Sequence, residues 1–161
     1  MPKIDQKSKL VGYSDWINDQ PWTNFPTFTT SYELTLPSAR RLMERTHLAF
    51  KRYSGGDCRL FWVAEPFEVK DGYHCHGLLY LPDSMINSKG YLHRHHFQNL
   101  VDIYTKMAGS KLVANNGGKL AYDKRHRIDL QKFDGRRNAG AYALKYIMKA
   151  ERGQADYDLF I

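Results

Sequence analysis

His74 and His76 flank one cysteine in the run Tyr73-His74-Cys75-His76-Gly77-Leu78-Leu79. On a strand, residues two apart project to the same face, so both imidazoles point one way and Cys75 the other. Two imidazoles can chelate a divalent ion but need a third ligand. The preceding apolar run Leu60–Phe67 is joined to this one through Val69-Lys70-Asp71-Gly72, and Asp-Gly is a strong hairpin signal. With an even number of loop residues Glu65 falls on the histidine face, directly opposite His76 or diagonally adjacent to it. A bulge at Pro66 would reverse that parity, so Glu65 is the first choice and Glu68 the fallback. The plainer alternative is a pair of surface histidines on a half-exposed strand. Two nitrogens and one carboxylate leave coordination positions open, which suits Mg²⁺ or Mn²⁺ held partly by a substrate phosphate; Zn²⁺ also fits. Cys75 faces away, which disfavours a zinc–cysteine site. His93, His95 and His96 lack a carboxylate at chelating distance in sequence and read as a solvated cluster.

A second constellation is Tyr142-Ala143-Leu144-Lys145-Tyr146-Ile147-Met148-Lys149. At about 100° per residue Tyr142, Lys145, Tyr146 and Lys149 share one stripe, with Ala143, Leu144, Ile147 and Met148 opposite as the expected core face. An ordinary polar face is the plain alternative. Chemically, tyrosine has a pKa near ~10, so only roughly 0.1% is phenolate at neutral pH. A nucleophilic tyrosine needs nearby positive charge and an electrophile activated by a Lewis acid. Lysines one turn away can supply the first requirement and a hairpin-borne metal the second.

These side chains need elements to position them. Thr27–Leu36 is rich in β-branched and aromatic residues and predicts a strand. Pro37-Ser38 ends it and opens a helix with Ala39, Leu42, Thr46, Ala49, Phe50 and Tyr53 at helical spacing. Arg40, Arg41, Glu44, Arg45, Lys51 and Arg52 fill much of the remainder and read as a solvated face. After the hairpin come a helix from about Arg94 to Ala108, a turn at 115–118 and a half-buried strand His126–Phe133. The basic loop at 134–138 then leads into the tyrosine helix, about Ala139 to Glu151. Residues 1–26 read as an irregular lead-in. Strand, helix, hairpin, helix, strand, helix predicts one α+β domain spanning residues 1–161, its core at about 27–151, with helices packed on an antiparallel sheet.

Composition agrees with a single globular domain: 161 residues, 42% hydrophobic and 25% charged. No apolar run approaches the ~20 residues of a membrane span, and no secretory signal opens the chain. Two cysteines, Cys58 and Cys75, fit a reduced interior, so an intracellular, cytoplasmic location is expected. The formal net charge of +7 favours an anionic partner, and an aromatic content of 14% suits stacking with single-stranded bases. Arg136, Arg137, Lys124, Arg125 and Arg127 are the basic candidates for contacting nucleic acid.

Taken in order, these motifs resemble the HUH endonuclease superfamily, in particular the rolling-circle replication initiators of small phages, plasmids and single-stranded DNA viruses. Thr27–Leu36 resembles the first-motif strand. His74-Cys75-His76 resembles the metal motif, with Glu65 upstream where these proteins often place an acidic ligand. Tyr146-Ile147-Met148-Lys149 resembles the YxxK nucleophile motif, and Tyr142 preceding it resembles the two-tyrosine initiators of the microvirus type.

The resemblance implies an antiparallel sheet of about four to five strands in a ferredoxin-like, RRM-like arrangement. It implies that Glu65, His74 and His76 hold Mn²⁺ or Mg²⁺, that Tyr146 attacks a phosphate of single-stranded origin DNA to leave a 5′-phosphotyrosine, and that Tyr142 is a second nucleophile or a structural tyrosine. Lys149 would orient the phosphate, with Lys145 beside it. No Walker A signature occurs in the sequence, so helicase and polymerase are expected as separate partners, with the origin DNA presented as a single strand or as a hairpin. Three other readings remain: a single-tyrosine transposase of the same superfamily, a noncatalytic nucleic-acid-binding domain of the same fold, and a two-His-one-carboxylate oxygenase. The oxygenase would need a many-stranded barrel, for which the chain offers too few strands.

Overall fold

In a computed structural model the chain is described over residues 6–109, 112–114, 120–122, 127–136, 138–153 and 155–161, with backbone alone for 6–11, 112–114, 120–122 and 127. The elements are α1 (Gln6–Asp19), β1 (Asn24–Thr29), α2 (Leu36–Tyr53), β2 (Arg59–Pro66), β3 (Tyr73–Tyr80), α3 (Arg94–Met107), β4 (Leu112–Ala114), β5 (Leu120–Tyr122), β6 (Arg127–Lys132), α4 (Ala139–Glu151) and β7 (Asp156–Phe160). Five strands form one antiparallel sheet in the order β6-β1-β3-β2-β7, and β4 and β5 pair separately. The sequence β1-α2-β2-β3-α3-β6 with β1 and β3 central is the split βαβ arrangement, extended by β7 at the β2 edge. The expected α+β class holds.

Strand alternation divides the core. One face presents Phe28, Leu60, Trp62, Ala64, Cys75 and Leu79 to α2 and α3; the other presents Phe61, Val63 and Leu78 to α1 and α4. Both cysteines are buried and free of disulfides. Helix α2 begins where Thr35 and Ser38 form a reciprocal capping box, with Pro37 in the first turn. Its Arg40 is only partly exposed and is ion-paired rather than free in solvent. The guanidinium donates to Asp156 and Asp158 on β7 and lies 5.1 Å over the Trp62 ring, which ties the edge strand to the α2 face.

Several expectations are corrected. Residues 6–19 are helical rather than irregular, and the first strand covers Asn24–Thr29 instead of Thr27–Leu36. Pro26 lies inside that strand, opposite Leu130, although proline is rare in a central strand. Thr35 has left the strand to cap α2. The core also extends past residue 151, since β7 pairs with β2 from Leu60 to Ala64. The turn at 115–118 lies outside the described residues.

Helices α1 and α4 pack against one another, and at Gly140 they touch backbone to backbone. A Cβ there would stand 2.3 Å from the Ser14 carbonyl oxygen, so the helices can approach this closely only at glycine. Gly140→Ala is expected to force α1 outward and cost about 1–3 kcal/mol. Chemical denaturation would read this as a lower midpoint, and an unchanged midpoint would show that α1 is not clamped there.

Candidate metal and phenol centre

The β2–β3 hairpin is regular through its end: Glu65 pairs with His74 and Pro66 with Tyr73. No bulge reverses the parity, so Glu65 lies directly across from His74 and diagonal to His76, and Glu68 is left exposed in the loop beyond the pairing. Glu65, His74 and His76 each bring one ligand atom within 4.8 Å of the others, and among the described residues this is the group so arranged. Cys75 faces the opposite layer.

Their surroundings are polar but tight. Glu65 Oε2 lies 3.0 Å from His76 Nε2, and Glu65 Oε1 accepts from Lys149 Nζ at 2.5 Å. His76 Nδ1 lies 2.5 Å from the Tyr142 hydroxyl. The His74 and His76 rings stack at 5.3 Å, and Tyr146 stands edge-on to His76 at 4.8 Å. Lys145 and Lys149 place their ammonium groups 5.1 and 5.2 Å from the centroid of the Tyr146 ring. Lys145 is otherwise exposed. A cleft of about 350 Å³ runs from Glu65, His74 and His76 across β1 to Gln131 on β6, with Phe25, Thr27 and Tyr142 on its walls.

Helix α4 is rotated relative to the expected face. Ala139, Ala143, Tyr146 and Ile147 are buried, whereas Met148 is 44% exposed. The reason is chemical: the sheet beneath α4 carries polar imidazoles as well as Phe61 and Val63, and phenols satisfy both kinds of neighbour where aliphatics satisfy only one. Tyr142 also meets Phe25, which packs on Phe133 at 4.9 Å. Asn138 caps the helix through the Ala141 amide.

The electrostatics follow from burial. Burial pushes Glu65 up, but hydrogen bonds from Lys149 and His76 outweigh it and hold the carboxyl below its ordinary value. Burial lowers both histidines; Glu65 opposes the shift in each, while His74 and Lys145 add to it for His76 and Lys70 for His74. Burial, then the charge of Glu65 and a hydrogen bond to it, pushes Tyr146 up to about 12. Burial, Tyr146 and Glu65 raise Tyr142.

For an imidazole whose folded pKa is depressed, the stability it contributes is present above the unfolded value near ~6.5 and is lost as pH falls through the folded value. In EDTA the thermal midpoint is therefore expected to drop on acidification below about pH 6.5. A chain with both His74 and His76 changed to alanine should show a shallower drop. Equal slopes would mean that these rings titrate as they do in the unfolded chain.

The residues present fit a divalent ion. His74 Nδ1 is buried without a hydrogen-bond partner among the described residues, an arrangement costly for an imidazole nitrogen that no ligand uses. Two imidazoles and a carboxylate form a borderline N₂O donor set with room for further ligands from the cleft side.

Of the basic candidates, Arg136 is exposed and paired with Asp134 at 3.1 Å in the loop that follows Phe133. Arg137, Lys124 and Arg125 lie outside the described residues, as does the side chain of Arg127 at the start of β6. His93, His95 and His96 lie at the start of α3, where His96 Nδ1 meets the Tyr53 hydroxyl at 2.7 Å; they take no part in the centre. Phe25, Thr27 and Gln131 line the cleft and escaped sequence reading. Their alternation on β1 and β6 is the one signal that marks them, and it requires the strand to start before Pro26.

No protein-family model, curated protein or solved structure matches the chain. Among the described residues no helix is long and apolar enough to cross a membrane.

Proposed function

We propose that this protein is a metal-dependent nickase and strand transferase of single-stranded DNA, acting through a tyrosine nucleophile to initiate rolling-circle replication. What supports the reading is one juxtaposition: a His-His-Glu triad on a β-hairpin in direct contact with two phenols on a helix, with His76 Nδ1 2.5 Å from the Tyr142 hydroxyl. A surface histidine pair or an ordinary polar helix face predicts no such contact between residues 66 positions apart.

Mn²⁺ or Mg²⁺ held by Glu65, His74 and His76 would supply Lewis-acid polarisation of the phosphate. Tyr146 is the principal nucleophile and Tyr142 the second. In the first transfer the Tyr146 phenol oxygen forms a bond to phosphorus and the bond from phosphorus to the 3′-oxygen breaks. The phenol gives up one proton and the departing 3′-oxygen takes one up, leaving a 5′-phosphotyrosine and a free 3′-hydroxyl. Reversal by a 3′-hydroxyl rejoins the strand, because the phosphotyrosyl bond keeps the diester's energy. The two ammonium groups beside the Tyr146 ring favour both the phenolate and the incoming phosphate, while Glu65 opposes ionisation as long as its charge is uncompensated.

The cleft continuing to Gln131 gives the strand a path across β1, and the +7 charge favours its approach. Separate helicase and polymerase partners complete the proposed role.

The test is incubation with a randomised single-stranded DNA library and Mn²⁺ followed by denaturing electrophoresis. A retarded, nuclease-sensitive protein band is expected, and sequencing the trapped strands gives the recognition site. Binding without any covalent band would instead support a noncatalytic nucleic-acid-binding domain.

A further inference from the structure

The carboxylate that a divalent ion requires is already engaged within the chain. Glu65 Oε1 accepts from Lys149 Nζ at 2.5 Å while Oε2 meets His76 Nε2 at 3.0 Å. Only His74, among the three ligand candidates, keeps a buried nitrogen with no partner. We infer that Lys149 is the resident cation of this site: its ammonium holds Glu65 until a divalent ion takes the carboxylate, and the displaced ammonium is thereby delivered to the substrate phosphate. The inference rests on the metal-binding part of the function proposed above and adds a coupling between ion loading and lysine release.

Three observations carry it. Mg²⁺ and Mn²⁺ bind carboxylate oxygens at about 2.1 Å, so an ammonium left on the same Glu65 oxygen would lie within about 4.6 Å of a doubly charged ion, where repulsion is strong. The lysine is able to leave: its side chain is 31% exposed, and a four-carbon stem carries its charge. It also has a destination, because Lys149 follows Tyr146 by three residues on α4, and its ammonium already stands beside the Tyr146 ring. A phosphate held at that phenol is within the arc of the stem. Lys145 is the internal contrast. It carries the same charge at 5.1 Å from the same ring but makes no bond to Glu65. The charge of the centre then changes in step: lysine on carboxylate before loading, metal on carboxylate and lysine on phosphate after it.

Mn²⁺ alone is the probe, titrated by the loss of its free electron paramagnetic signal against the wild-type chain and against Lys149→Gln, Lys149→Arg and Lys145→Gln. Lys149→Gln is expected to bind Mn²⁺ more tightly, on the order of tenfold, with Lys149→Arg no tighter than wild type and Lys145→Gln within about twofold of it. A second measurement needs no variant. Acetylation of wild-type lysines, read by mass spectrometry, should rise severalfold at Lys149 on adding Mn²⁺ and stay level at Lys145. Equal or weaker Mn²⁺ binding by Lys149→Gln, or Lys149 labelling that ignores the ion, would overturn the inference. Absence of Mn²⁺ binding in all four chains would overturn it together with the metal site. Tighter binding by Lys149→Gln with ion-dependent labelling, but no covalent DNA band from wild type, would uphold the lysine switch and remove the nickase reading.

Discussion

Tyr146→Phe is expected to abolish the covalent protein–DNA band formed with a cleavable single strand and Mn²⁺, a loss of at least about 10³-fold, while affinity for the same strand changes little. The substitution removes one oxygen and leaves the ring that packs edge-on to His76, so the fold keeps its contacts. Two features single out Tyr146 over Tyr142. Ammonium groups from Lys145 and Lys149 flank its ring, whereas the Tyr142 hydroxyl is tied to His76 Nδ1. Tyr142→Phe should therefore leave the first cleavage measurable and impair the later strand transfer, read as accumulation of the cleaved species. Undiminished adduct from Tyr146→Phe would reject it as nucleophile, and adduct surviving in the double Phe chain would reject tyrosine chemistry altogether.

Changing His74 and His76 together to alanine should remove Mn²⁺ binding and cleavage in parallel, each by at least about 10²-fold. EDTA should reproduce the loss of cleavage in the wild-type chain. Glu68→Ala supplies the control, because Glu68 lies outside the paired hairpin and away from the triad. The two readouts must move together. Cleavage that outlasts both EDTA and the loss of the imidazoles would separate the strand chemistry from the metal, whatever the tyrosines do.

The candidate site is largely legible because its three possible metal ligands are local. Asp71-Gly72 marks the hairpin, the parity of its loop places Glu65 beside the histidines, and both follow from neighbouring residues. The two phenols were legible as a helical stripe, but their contact with His76 joins segments that no local rule connects. The rotation of α4 was hidden for the same reason: Met148 is a better core residue than tyrosine until the polar surface beneath the helix is known. Helix α1 has little amphipathic pattern, with Gly12 and many polar residues, and it is held by Ile17 in the second core and by its close approach to Gly140. Strand β7 reads Asp-Tyr-Asp-Leu-Phe, and its acidic residues find their reason only in Arg40, more than a hundred positions away. Reading residues 1–26 as an irregular lead-in leaves Phe25 outside the strand, and so outside the cleft it lines.

The sheet order has a mechanical corollary. Strand β3, bearing both histidines, is bonded on each side to β1 and β2, whereas α4 meets α1, β7 and the side chains of β2 and β3 without any ladder of its own. The ligand half is thus fixed by backbone ladders, and the phenol half by side-chain packing and hydrogen bonds. Under the proposed reaction, any exchange of one tyrosine for the other would have to come from α4, because β3 is held by ladder bonds on both flanks.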